Sequence, residues 1–176
     1  MAEIIESVLE KTGGKERSVR WFRQKVKELG DVPSAQLVRE GFVTGRPTLG
    51  TMNFFMYDPK YKNDVNVLPY YDRFPLVLPI QPVSGGFLGI NFHYLPIPLR
   101  MKLFETLEKK DFKGDYRALK NVREIKPTIK HYLRGQLASK FLRLDEDEYA
   151  PSIFLPVQDF RKAGVSTVHS ASRRMI

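Results

Sequence analysis

Leu68-Pro69-Tyr70-Tyr71-Asp72-Arg73-Phe74-Pro75-Leu76-Val77-Leu78-Pro79-Ile80 is the stretch on which the reading of this chain turns. Pro69, Pro75 and Pro79 each lack a backbone donor and fix φ, so no helix can run through it. Asp72 and Arg73 sit among aromatic and aliphatic residues, where an unpaired charge is costly. The stretch therefore reads as a built corner leading into an extended segment. Because Pro75 and Pro79 cannot donate, Phe74 to Ile80 is expected at a sheet edge or paired on one side only.

Downstream, Ser84-Gly85-Gly86 is a turn. Phe87 to Tyr94 then alternates, with Leu88, Ile90, Phe92 and Tyr94 on one face and Phe87, Gly89, Asn91 and His93 on the other. Gly89 inside that strand predicts a bulge or a close backbone approach. Pro96-Ile97-Pro98 ends the strand and opens a helix, whose buried stripe is Leu99, Leu103, Phe104 and Leu107. Short helices are expected around Arg117–Arg123 and Thr128–Arg134. A strand is expected over Gln136–Leu144 and another over Ile153–Pro156. Between them Asp145-Glu146-Asp147-Glu148 reads as a solvated acidic turn.

Upstream, Thr51 to Tyr57 is a nearly continuous apolar strand delivered by a loop that carries Gly41, Gly45, Pro47 and Gly50. Residues 16–29 form the clearest helix, with Val19, Phe22, Val26 and Leu29 as its apolar stripe. The predicted architecture is α+β: a small, strongly bent antiparallel sheet, or an SH3-like partial barrel, flanked by helices. Residues 1–14 read as an N-terminal arm, 15–160 as a single domain and 161–176 as a basic C-terminal tail.

The chain has 176 residues, 42% of them apolar, and a formal net charge of +9. That charge favours a polyanionic partner: nucleic acid, an acidic protein surface or anionic lipid. There are no cysteines, which excludes thiolate catalysis, disulfides and cysteine–zinc sites. No secretory signal and no membrane-spanning run is visible. His93, His131 and His169 show no metal-ligand spacing, and His93 reads as structural. No catalytic residue, metal site or cofactor motif emerges, so the expected protein is not an enzyme.

Two groups are candidate binding residues. Residues 11–27 hold seven basic residues and one acid, which makes Arg17, Arg20, Trp21, Arg23, Lys25 and Lys27 candidates for contact with duplex phosphates. Tyr70, Tyr71, Asp72, Arg73 and Phe74, with Arg173 and Arg174, are candidates for a protein interface, being rich in residue types common at interface hot spots. The plain alternatives are an exposed helix face for the first group and local packing for the second.

Three segments carry a family resemblance. They are Phe54-Phe55-Met56-Tyr57-Asp58-Pro59-Lys60; Leu68 to Val77 with Gly86 to Pro96; and Ile153-Phe154-Leu155-Pro156 with Ser172-Arg173-Arg174. Together they resemble small proteins of tailed bacteriophages, T4-like myoviruses and cyanophages, described as virion structural or DNA-end-associated proteins. The resemblance implies a virion component, made in the host cytoplasm, that docks on other virion proteins in a homo- or hetero-oligomeric assembly. The alternative it implies is a DNA-binding or DNA-end-protecting phage protein that uses the basic helix 16–29 on double-stranded DNA.

Overall fold

The structure is a computed structural model that describes residues 43–109, 116–119 and 121–176. The expected arm 1–14 and basic helix 16–29 lie outside the described residues. In chain order the strands are β1 (Val43–Thr44), β2 (Asn53–Phe54), β3 (Tyr71–Asp72), β4 (Leu76–Val83), β5 (Gly86–Asn91), β6 (Ile129–Leu133), β7 (Phe141–Arg143) and β8 (Phe160–Arg161). The helices are α1 (Ile97–Glu108), α2 (Tyr116–Leu119), α3 (Glu146–Phe154) and α4 (Val165–Met175).

β4 is the spine of the sheet. It folds back on β5 through Ser84-Gly85, where Gly85 takes a φ of 75° that other residues adopt with strain. β5 gives its other edge to β6, and the start of β4 pairs with β2. β2 pairs with β7 and β7 with β1, giving among the described residues a six-stranded antiparallel sheet in the order β1-β7-β2-β4-β5-β6. Among these strands the sheet stays open rather than closing into a barrel. β3 and β8 form a separate two-stranded ladder beside it.

The prolines of β4 do not confine it to an edge. Val77 has strand partners on both sides, Asn53 of β2 and Asn91 of β5, while Leu76 pairs with β2 alone. From Pro79 onward only β5 pairs with β4, and the Pro79 carbonyl accepts the Gly50 N–H at 3.0 Å. Thus the donor that each proline lacks falls where no second strand runs. The register shifts between Pro79 and Gln81, opposite Gly89. A Cβ on Gly89 would lie 2.3 Å from Val77 Cγ1, so both expectations for this glycine hold.

Strand alternation sorts the core into two layers. Phe54, Leu76, Leu78, Ile90 and Phe92 face Leu103, Phe104 and Leu107 of α1 and Tyr149 and Ile153 of α3. On the opposite face Phe55, Tyr57, Val77, Phe87, Tyr132 and Phe141 make an aromatic cluster. Phe55 meets Tyr132 and Phe141 edge-on, at ring-centroid distances of 5.1 and 5.0 Å. Each such pair adds roughly 0.5–1.5 kcal/mol to the burial term.

Several local expectations are overturned by tertiary pairing. Thr128–Arg134, expected as a helix, contains strand β6, because Ile129 to Leu133 complete the open edge of β5. Asp145 to Glu148 is not a free acidic turn: it starts α3, where the Glu148 carboxylate accepts the Asp145 N–H at 3.1 Å. Ile153 and Phe154, expected in a strand, are the last turn of α3 and are buried in the main core. Of Gln136–Leu144 only Phe141–Arg143 is strand. The basic residues from 161 onward form β8 and α4, with Val168 and Ser172 buried and Arg173 and Arg174 exposed.

Candidate nucleic-acid interface

The Tyr70–Phe74 corner lies where β3 meets β8, and its centre is Asp72. The Asp72 carboxylate accepts four hydrogen bonds. Oδ1 takes the N–H groups of Phe74 (3.1 Å) and Asp159 (3.2 Å). Oδ2 takes Asn91 Nδ2 (3.2 Å) and His93 Nδ1 (2.7 Å). Burial pushes the Asp72 carboxyl up, but His93 and the hydrogen bonds outweigh it and hold the group below its usual range. Burial holds His93 below the usual imidazole range against the pull of Asp72. His93 is then neutral, with its proton on Nδ1 facing Asp72. Its Nε2 is buried with no hydrogen-bond partner among the described residues.

Behind this pair lies Arg100, 1% exposed. It donates from Nε to the Leu95 carbonyl (2.6 Å), and from its two terminal nitrogens to the carbonyls of Ile153 and His93 (3.3 Å each) and to Gln158 Oε1 (3.4 Å). Burial lowers its pKa to about 10, with Asp72 opposing the shift. His169 of α4 donates from Nε2 to the same His93 carbonyl at 2.9 Å. This network ties β3, the end of β5, α1 and α4 together, so its work is architectural.

The outer wall of the network is a cleft of about 270 Å³. Its aromatic walls are Tyr57, Tyr61, Tyr71, Tyr94 and Tyr132, and its basic residues are Lys60, Lys130 and His131. Lys130 Nζ lies 3.9 Å from the centroid of the Tyr94 ring. Burial lowers the Lys130 pKa to about 8. Tyr57 and Tyr132 brace each other edge-on at 5.0 Å, and the Tyr57 hydroxyl accepts the Leu133 N–H at 3.1 Å. Burial raises the pKa of Tyr57, Tyr94 and Tyr132, so all three remain neutral phenols. The acid in the lining is Asp72, whose carboxylate is already saturated.

The residues expected to act at an interface separate sharply here. Asp72 and Phe74 are buried, the latter stacked on Phe54 at 5.0 Å, so neither is open to a partner. Tyr70 rests beside Tyr94 at 6.1 Å, Tyr71 lines the cleft and Arg73 is exposed. Arg173 and Arg174 are exposed on α4, away from the cleft lining. Arg17, Arg20, Trp21, Arg23, Lys25 and Lys27 lie outside the described residues. The sequence pattern alone does not mark Lys130, Tyr94 and Tyr132 as site residues. Reading Ile129–Leu133 as a strand would have put Lys130 and Tyr132 on one face; reading it as a helix hid them. No cluster of three or more His, Asp or Glu able to hold a metal exists among the described residues.

Residues 3–174 match the model of the family described as phage T4 terminal DNA protecting protein. No curated protein and no solved structure matches the chain. Of the two readings of the sequence, this finding favours the DNA-end protein over the virion structural component. The match runs over nearly the whole chain, and the protein belongs to the phage T4 terminal DNA protecting protein family.

Proposed function

We propose that this protein binds the ends of linear double-stranded DNA and shields them from exonucleases without performing chemistry itself. The observation that carries this reading is the family match across residues 3–174. The cleft supports it. Lys130 is a partly buried cation with its ammonium 3.9 Å from the centroid of the Tyr94 ring, in a cleft lined by further tyrosines, and among the described residues no carboxylate lies within 4 Å of it. A phosphate would complete such a site, and tyrosine rings suit the bases of an opened strand. In this reading Arg17, Arg20, Arg23, Lys25 and Lys27 contact duplex phosphates, with Trp21 packing or stacking on the DNA. Arg173 and Arg174 add charge to the surface.

The test compares binding to linear duplex and to closed circular DNA of equal length across a salt series, with exonuclease digestion in parallel. The expected result is salt-sensitive binding that prefers the linear form and slows digestion from its ends. Equal affinity for both forms, with no protection, would reject end binding.

A further inference from the structure

The size of the cleft limits what can enter it. At about 270 Å³ it is at the lower edge of small-molecule sites, which run from roughly 300 to 1,000 Å³. It has room for a single nucleotide and none for a duplex. Its two chemistries are also separated in space. The cation, Lys130, sits inside with its ammonium against Tyr94. The accessible ring, Tyr61, stands at the lip, 47% exposed, with Lys60 Nζ 5.3 Å from its centroid. The inner rings of Tyr57 and Tyr132 are buried and meet edge-on at 5.0 Å, so neither offers an open face to a base.

We propose that this cleft captures the terminal nucleotide of one strand, frayed from the duplex, with its terminal phosphate on Lys130 and its base on Tyr61. The proposal rests on the DNA-end reading above and gives that reading its selectivity. An internal phosphate is a diester with one charge, flanked by paired bases that cannot enter. A terminal phosphate monoester carries about −1.5 to −2 charges at neutral pH. Only an end supplies both that charge and a base free to unstack, so closed DNA cannot satisfy the site. The floor is held rigid from behind, because Asp72 lines it while bound to His93 and Asn91.

The test uses the full-length protein and short duplexes in three forms: open ends with 5′-phosphates, open ends without them, and a dumbbell closed by hairpins at both ends. The wild type is expected to bind phosphorylated open ends about tenfold more tightly than the dumbbell. Loss of the phosphate should remove most of that margin. Tyr61→Ala, at an exposed position, should lose end preference while dumbbell binding stays unchanged. Lys130→Met should bind phosphorylated and unphosphorylated ends equally. Should Lys130→Met fail to fold, Tyr61→Ala decides alone. A wild type with end preference that both variants retain would overturn the cleft proposal and leave end binding standing. A wild type without end preference would overturn both. A 5′-mononucleotide that competes only against open-ended duplex would support the cleft as the point of capture; competition equal on all three forms would count against it.

Discussion

Asp72 and His93, 21 residues apart in sequence, meet at 2.7 Å with both side chains closed to solvent. The contact fastens the corner after Pro69 to the end of β5. It also explains how a charged residue survives in that apolar stretch: every oxygen lone pair that needs a donor has one. Asp72 in turn favours the charged form of the buried Arg100, with which it makes no hydrogen bond.

Removing that carboxylate should therefore be costly. Asp72→Ala leaves Asn91, His93 and two backbone N–H groups without their acceptor, and a loss of about 3 kcal/mol is expected. Urea titration of the variant and the wild type measures it. A loss under about 1 kcal/mol would mean that water reaches these groups and that the network is not closed.

The same network sets an acid limit on stability. His93 and His169 are both held below the usual imidazole range, mainly by burial. As pH falls below about 6.5, the unfolded chain takes up protons that the native protein does not, so stability falls. Asp72, held below the usual carboxylate range, contributes stability above about pH 4 that is lost on further acidification. Melting temperature should thus decline from pH 7 to pH 5 and more steeply below pH 4. A flat profile between pH 7 and 5 would show that neither histidine is desolvated in solution.

Lys130 should cost stability while serving the cleft. Its ammonium is desolvated, and among the described residues no carboxylate neutralises it. Lys130→Met keeps the length of the side chain and its contact with the Tyr94 ring but removes the charge. A gain of about 1 kcal/mol, or about 2–4 °C in melting temperature, is expected. Calorimetry checks this independently of DNA. A lowered melting temperature would mean that the ammonium is well hydrated or paired.

Gly89 offers a test of the sheet. A methyl group there would collide with Val77 Cγ1, and Gly89→Ala should cost about 1–3 kcal/mol. Val77→Ala vacates the space, so the double variant should be more stable than the sum of the two single losses predicts. Simple additivity would place the strain elsewhere in the β4–β5 hairpin.

Helix α4 should matter for the fold as well as for charge. Val168 and Ser172 are buried beneath it, Ile176 packs against the main core, and His169 holds the His93 carbonyl. Deleting residues 165–176 should expose that surface and lower the melting temperature. A truncated protein that melts with the wild type would make this segment a dispensable arm.

Local chemistry settled much of this fold in advance. The prolines forbid a helix from Leu68 to Ile80, Ser84-Gly85-Gly86 turns the chain, and the alternation from Phe87 sorts side chains onto two faces as far as Asn91, where the expected strand gives way to a 3₁₀ turn over Phe92–Tyr94. Pro98 opens α1, and its apolar spacing marks the side it buries. These features act within a few residues, so they can be read along the chain. What only the tertiary structure decided depends on partners far apart. Ile129 to Leu133 has no strong preference of its own and becomes a strand because β5 has a vacant edge. That pairing brings Lys130 to Tyr94 and creates the cleft. Asp145 and Glu148 read as a solvated run until α3 gives them a helix end to cap. Asp72 and His93 each read as an isolated polar residue, and their partnership exists because a β ladder and a 3₁₀ turn deliver them to one buried point. Residue type sets which groups need partners; long-range strand pairing determines which partners they find.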